Sequence, residues 1–296
     1  MEAERDGDSK SSKVLDEILL TTDVMFGLIS PLGITRRAPH LKWFQSYSTG
    51  VDRLLSDEEL KKSSVVITNV SGFHDVAISE YVLETILMFV KDTQRCFRQK
   101  LERRWEWFPV DTLDSKTIGI VGYGRIGRAV AKLSKAFNMQ TMAIDRSDYI
   151  SDPDHWVDNP LPSQRLKELM ETSDFVVVCL PLTPETRGLL GKKELEFMRK
   201  DARLIVVSRG SIVDEQALFR ALNERRIAGA ALDVFAEEPL PPSSPLWSLE
   251  NLIFSPHNSG DIKDYDGKTT VLFCENLKRY LSGQDLLNVV NKELGF

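Results

Sequence analysis

The sequence predicts an α/β protein: a doubly wound parallel sheet together with a second, smaller domain. Three observations predict it. An apolar run at residues 116–121 meets the turn Gly122-Tyr123-Gly124-Arg125-Ile126-Gly127, which opens directly into an amphipathic helix. Further apolar runs at residues 175–180, 203–208, 228–234 and 251–255 alternate with helical segments such as 215–225. That order gives buried parallel strands with right-handed crossovers. A chain of 296 residues is also long enough for two separate cores.

The glycine turn needs its three glycines for different reasons. Gly122 permits the tight turn, Gly124 lets backbone approach a pyrophosphate, and Gly127 lets the helix lie close to the strand. Ile126, Val130 and Leu133 share one helical face. The helix start offers unpaired N–H groups and a positive dipole end to phosphates, with Arg125 beside them. The turn therefore predicts a Rossmann-type dinucleotide site. The next strand, at 140–144, ends in Asp145, near the spacing expected of a ribose-binding acid. A carboxylate there accepts from the ribose hydroxyls and repels a 2′-phosphate, which favours NAD. Arg146 and Ser147 follow at once and suit a 2′-phosphate, so NADP stays open.

Earlier in the chain, residues 14–20 read as a short helix and 23–28, 41–46 and 65–69 as strands. Residues 77–104 read as one long helix whose charged second half suits a subunit contact or a solvated face rather than a binding site. Residues 269–281 form an amphipathic helix expected to return to the first domain. The expected division is 1–88 with 264–296 as a discontinuous substrate domain, and 89–263 as the dinucleotide domain.

The bulk properties exclude several classes. A net charge of −6 disfavours nucleic acid. No apolar run reaches membrane-spanning length, and the polar, acidic start is unlike a secretory signal. Cys96, Cys179 and Cys274 are scattered and read as reduced, mostly buried thiols of a cytoplasmic protein. No CxxC or HExxH pattern suggests a metal.

Ligands of open α/β sheets sit beyond the carboxyl ends of the strands. Arg209, Asp233, Glu238 and His257 all follow apolar strands there. Reduction of a carbonyl needs a proton donor that titrates near neutrality, which suits His257. Glu238 is the candidate to orient the ring and favour its protonated form. Oxidation of the alcohol gains at higher pH, where a neutral imidazole accepts the proton. The Arg209 fork can hold both the carboxylate and the carbonyl of a 2-oxo acid. Asp233 could hold the nicotinamide carboxamide or stabilise the ring's positive charge. His40, His74 and His155 read as polar loop residues, with His74 near enough to the turn at 69–72 to line the cleft. Phe73, Tyr81 and Trp105 are guesses for the pocket wall.

Four motifs, Leu-Pro-Leu-Thr-Pro-Glu-Thr-Arg-Gly at 180–188, Ser-Arg-Gly-Ser-Ile-Val-Asp-Glu at 208–215, Ala-Leu-Asp-Val-Phe-Ala-Glu-Glu-Pro-Leu at 231–240 and Ser-Pro-His-Asn-Ser-Gly at 255–260, resemble the D-isomer-specific 2-hydroxyacid dehydrogenases. Residues 41–52 and 288–296 look closest to the glyoxylate/hydroxypyruvate reductase-like branch. The resemblance implies a smaller flavodoxin-like α/β substrate domain, usually a homodimer, and a small 2-oxo or D-2-hydroxy acid as substrate. It implies His257 as acid/base, Glu238 as its partner and Arg209 as substrate binder. The amides of Thr49, Gly50 and Val51 would bind the substrate carboxylate. Pro181, Thr186, Ser208, Asp233 and Gly260 would line the cofactor site with the turn of Gly122, Gly124, Arg125, Ile126 and Gly127. The family usually opens with a strand, a helix and another strand before the segment near Val14; a short polar tail stands there instead, which leaves open a truncated gene model, a shortened domain with an exposed sheet edge, or a partner that covers that edge. The chain also ends before the C-terminal regulatory domain that phosphoglycerate dehydrogenases often carry. The rival expectation is an NAD(H)-responsive corepressor-like module with little turnover.

Overall fold

The computed structural model describes residues 9–147, 150 and 152–296, with the side chains of 9–12 set aside. Contacts divide the chain at Phe73/His74 and again at Ile262/Lys263, giving a larger unit His74–Ile262 and a smaller unit from the remainder. The sequence predicts these points at 88/89 and 263/264.

The first part of the smaller unit holds α1 (Ser9–Leu19), β1 (Val24–Gly27), α2 (Ile34–Arg37), β2 (Trp43–Ser46), α3 (Asp52–Leu55), α4 (Glu58–Lys62) and β3 (Val66–Thr68). The three strands are parallel, in the order β1-β2-β3. Asp57 caps α4 by accepting from the Glu59 and Leu60 amides, which satisfies two donors of its first turn.

The larger unit begins with α5 (Asp75–Val90) and α6 (Thr93–Glu102). The single helix expected over 77–104 is therefore two. Asp92 between them takes a left-handed backbone with φ 48°, a conformation that aspartate tolerates better than most residues and that ends a right-handed helix. Then come β4 (Thr117–Val121), α7 (Arg125–Ala136), β5 (Gln140–Asp145), β6 (Asn159–Pro162), α8 (Leu166–Thr172), β7 (Phe175–Val178), α9 (Lys192–Phe197), β8 (Arg203–Val206), α10 (Glu215–Asn223), β9 (Gly229–Leu232) and β10 (Leu252–Phe254). Their sheet is parallel throughout, ordered β10-β9-β8-β7-β4-β5-β6. The order reverses direction at β4, next to the glycine turn, which is where such sheets bind ligands.

Alternation within the strands builds two cores. Val176 and Val178 join Leu204, Val206 and Leu232 in one cluster. Phe175 and Val177 join Ile205 and Ala231 in the other, with Val82, Ile86 and Val90 of α5 and Val130 of α7. Side chains of successive strand residues point to opposite faces, so a strand buried on both reads as continuously apolar. Each fully buried large apolar side chain contributes roughly 1.5–3 kcal/mol.

The chain returns to the smaller unit in α11 (Tyr265–Leu281). Phe273 of α11 stacks on Phe26 at 4.8 Å and lies 5.5 Å from the Trp43 ring. Buried polar groups there are paired: the Trp43 indole donates to Thr68 Oγ1 (2.8 Å), Thr68 donates to Gln45 Oε1 (2.8 Å), and Asn276 donates to the same oxygen (3.0 Å). The final segment lies along β3, where the Val290 amide donates to the Ile67 carbonyl at 2.8 Å.

Candidate active site

The glycine turn sits at the carboxyl end of β4, and the Gly122 amide donates to the Ile144 carbonyl of β5 at 2.9 Å. That bond brings the turn beside Asp145, the last residue of β5. Gly122 has φ 102°, which a side chain would strain. A Cβ on Gly127 would lie 2.2 Å from the Gly122 carbonyl oxygen, so only glycine allows α7 to start this close to β4. Gly124 meets nothing within 4 Å of an added Cβ, and it stands at the start of α7 with no side-chain cap. Open space and uncapped amides at a helix start are what a pyrophosphate needs. Arg125 and Ile126 open the helix. Arg125 is exposed and acts on Asp75, whose carboxyl is pushed up by burial against the pull of that guanidinium. Arg146 follows Asp145 on the surface.

The same edge continues over β7, β8, β9 and β10. After β7, Thr186 Oγ1 donates to the Pro181 carbonyl at 2.7 Å and accepts from the Thr183 amide at 2.8 Å, which closes residues 181–186 into a compact turn. After β8 comes Ser208, whose buried hydroxyl oxygen has no hydrogen-bond partner among the described residues. A buried polar oxygen without a partner is costly unless a ligand satisfies it. Arg209 follows, its Nη1 donating to the Ser208 carbonyl at 2.8 Å. Gly210 then lies so near the β9 loop that an added Cβ would stand 2.0 Å from the Phe235 carbonyl carbon. This close approach ties the arginine segment to the segment that carries Glu238.

Glu238 and His257 form a pair. His257 Nδ1 stands 2.8 Å from Glu238 Oε2, with side chains 44% and 24% exposed respectively. The other carboxylate oxygen accepts from the Phe235 amide at 2.9 Å. Burial pushes the Glu238 carboxyl up. The His257 hydrogen bond, the Phe235 amide and the charges of His257 and Arg209 outweigh it and hold the group below the ordinary glutamate range. A carboxylate fixed on Nδ1 leaves Nε2 as the ring nitrogen that Glu238 does not engage.

Asp233 is the anchor of the histidine segment. It is 2% exposed. Its Oδ1 accepts from Ser255 Oγ (2.6 Å) and from the amides of Asn258 and Ser259 (3.0 Å each), and its Oδ2 accepts from Ser259 Oγ. The two backbone amides that follow the histidine, and the Ser255 hydroxyl before it, thus close on one buried carboxylate. Gly260 ends the segment.

In the smaller unit, Thr49, Gly50 and Val51 lie in the loop at the carboxyl end of β2. Asn69 Nδ2, at the end of β3, donates to the Thr49 carbonyl at 3.0 Å, and Ser46 Oγ accepts from the Ser48 amide at 3.1 Å. The loop is held in place from both ends.

Several expectations change. Cys96 and Cys274 are exposed rather than buried, because each lies on the outer side of a helix; Cys179 is half-buried, and all three are free thiols. Trp105 is 99% exposed and forms no pocket wall within its unit. Tyr81 lies under the histidine segment, with its hydroxyl 2.8 Å from Ser255 Oγ. His74, read mainly as a loop residue, stands within electrostatic reach of Arg209, His257 and Asp261. Its signal was available in sequence as the spacing of His74, Ile78 and Tyr81 on one helical face. Among the described residues, no cluster could hold a metal ion and no helix is long and apolar enough to cross a membrane.

Comparison with known proteins agrees with this fold. The sequence model of the family described as "D-isomer specific 2-hydroxyacid dehydrogenase, NAD binding domain" matches residues 83–259. A glyoxylate reductase of Korarchaeum cryptofilum is 33% identical over 96% of this chain and 87% of its own, and one of Thermofilum pendens is 35% identical over 87% and 77%. The crystal structure of a D-isomer specific 2-hydroxyacid dehydrogenase from Xanthobacter autotrophicus in complex with NADPH and MES superposes with a TM-score of 0.84 at 30% identity, covering 94% of this chain and 86% of that one. This chain belongs to the D-isomer specific 2-hydroxyacid dehydrogenases, a family of NAD(P)-dependent oxidoreductases.

Proposed function

We propose that this chain reduces a small 2-oxo acid of the glyoxylate or hydroxypyruvate type to the corresponding D-2-hydroxy acid. The observation that carries the reading is the Glu238–His257 pair at 2.8 Å, on the same sheet edge as the open glycine turn. His257 gives its Nε2 proton to the carbonyl oxygen as that oxygen gains charge, and Glu238 stabilises the imidazolium and fixes the ring. Arg209 grips the carboxylate and polarises the carbonyl. The smaller unit is the substrate domain. A bound nicotinamide supplies the hydride to the carbonyl carbon.

Gly122, Gly124, Arg125, Ile126 and Gly127 hold the pyrophosphate, and Asp145 the adenosine ribose, with Arg146 the candidate for a 2′-phosphate. Pro181, Thr186, Ser208, Asp233 and Gly260 hold the nicotinamide half. The orphaned Ser208 hydroxyl and the uncapped start of α7 fit that group. Asp145 favours NAD over NADP.

The working form is a homodimer. Phe97, Leu101, Trp105 and Trp107, on α6 and just beyond it, are all exposed, and Trp107 is 84% so. An apolar groove of about 500 Å³ lined by Leu83, Leu87, Met88, Leu133 and Phe137 lies on the same unit. Exposed apolar patches of this kind mark interfaces. The unpaired cysteines suit a reducing cytoplasm.

The test is oxidation of NADH and NADPH in parallel over a panel of 2-oxo acids, with the product's configuration determined. Turnover of glyoxylate or hydroxypyruvate with a D-product from hydroxypyruvate is expected. Tight NADH binding with no turnover of any 2-oxo acid would favour the corepressor-like alternative instead.

A further inference from the structure

The segment Ser255–Gly260 is held from one direction by Asp233. A second set of contacts comes from α5. A Cβ on Gly260 would lie 2.7 Å from His74 Cδ2 and 3.4 Å from Ile78 Cδ1. One turn further along, the Tyr81 hydroxyl is 2.8 Å from Ser255 Oγ, which in turn is 2.6 Å from Asp233. Residues 74, 78 and 81 recur at the spacing that places side chains on one face of a helix. That face therefore meets both ends of the histidine segment, Ser255 before it and Gly260 after it.

We propose that His74 and Tyr81 are positioning residues of the active site, which aim His257 by clamping its segment between α5 and the Asp233 carboxylate. The proposal rests on the reading of His257 as the proton donor and deepens it. Gly260 is glycine because the His74 ring occupies the place of a side chain. The Ser255 hydroxyl stands in hydrogen-bond reach of both the Tyr81 hydroxyl and the Asp233 carboxylate, so one run of hydrogen-bonding groups joins the helix to the anchor. His257 itself has a left-handed backbone with φ 55°, a conformation that persists only when the surroundings hold it.

The charges facing His74 agree with this placement. Burial pulls its imidazole below the ordinary range, Asp261 opposes that, and Arg209 and His257 add to it. Its sequence neighbour Asp75 is pushed up by burial and faces Arg125. The lowered proton affinity of His74 favours the neutral ring, so it adds little charge beside His257.

The experiment compares His74→Ala, His74→Gln and Tyr81→Phe with the parent in the full chain. His74→Ala is expected to lower kcat about 10- to 100-fold, since small misplacements of a catalytic group cost on that order, while NAD(P)H affinity stays within about twofold. Tyr81→Phe is expected to lower kcat about three- to tenfold by cutting the hydrogen-bond chain. His74→Gln is expected to recover part of the loss by filling the space. In a His257→Ala background, His74→Ala is expected to add nothing, because it acts through His257. Full additivity in that background, or an unchanged kcat in both His74→Ala and Tyr81→Phe, would overturn the proposal. A second readout does not need turnover. The His74 imidazole, followed by NMR, should take up its proton at higher pH once His257→Ala removes the neighbouring charge, and an unmoved titration would overturn the proposal. If the parent turns over no 2-oxo acid, the proposed reaction fails, and the titration alone decides the placement of His74.

Discussion

The two edges of the seven-stranded sheet differ in how they treat charge. At the amino edge, charges are matched within the protein. Lys116 meets Asp111 at 2.7 Å, Arg199 meets Asp201 at 2.7 Å and Asp174 at 3.3 Å, and Arg98 meets Glu250 at 3.4 Å. Asp174 also accepts from the Thr117 amide at 2.8 Å. At the carboxyl edge, polar groups are held in position yet left with unused capacity. The start of α7 has no side-chain cap, Ser208 Oγ is buried without a partner among the described residues, and the His257 ring uses one nitrogen on Glu238. The difference teaches where ligands go. An edge that neutralises itself stabilises, and an edge that keeps donors and acceptors in reserve binds.

The comparison can be broken by substitutions at either edge. The largest effect is expected from Arg209→Leu, which removes the charged fork that the proposed reaction assigns to the substrate. kcat/KM for a 2-oxo acid should fall about a hundred- to a thousandfold, measured by steady-state kinetics, with the melting temperature nearly unchanged. Next is Glu238→Gln, which should lower kcat about ten- to a hundredfold. The Glu238 carboxyl lies below the ordinary glutamate range, so its contribution is complete above that range and is lost as pH falls through the lowered value. A pH profile of the parent should therefore keep its activity at pH values where an ordinary glutamate would be half protonated, down to the acid limit set by unfolding.

Gly127→Ala is a packing test. Its Cβ would meet the Gly122 carbonyl oxygen at 2.2 Å, so the turn must shift. A loss of roughly 1–3 kcal/mol in stability is expected, with a clear loss of NADH affinity by fluorescence titration. Normal affinity would show that the turn does not bind the pyrophosphate. Lys116→Ala at the amino edge should have the smallest effect, under about 1 kcal/mol, as half-exposed ion pairs do, with unchanged kinetics. The Lys116 ammonium is raised mainly by its hydrogen bond to Asp111. Its contribution is thus present below the ordinary lysine value and fades as pH rises through the raised one.

Much of this was legible in the sequence. The apolar strands β4, β5 and β7 to β10 announced themselves because both faces of a buried parallel strand must be apolar. The turn at Gly122 to Gly127 was legible because each glycine answers a separate geometric need. The strand β6, Asn159-Pro160-Leu161-Pro162, was not read as one, since two prolines and a single buried leucine give no apolar pattern; such a strand is tolerated at the sheet edge it occupies. The break at Asp92 escaped notice because a single left-handed residue leaves no periodic trace. Glu238 and His257 could be paired from strand order alone. The role of Asp233 as the anchor of residues 255–259 could not, because it depends on two backbone amides that carry no sequence signal. The exposure of Trp105 was also hidden, since composition does not say which tryptophan leaves the core.

The most direct test of the account is a paired measurement on His257→Ala. NAD(P)H oxidation with glyoxylate or hydroxypyruvate and NAD(P)H binding by fluorescence are followed in the same preparations. The account predicts turnover reduced by about a hundredfold or more with binding within about twofold of the parent. Equal loss of turnover and binding, or retained turnover, would contradict it.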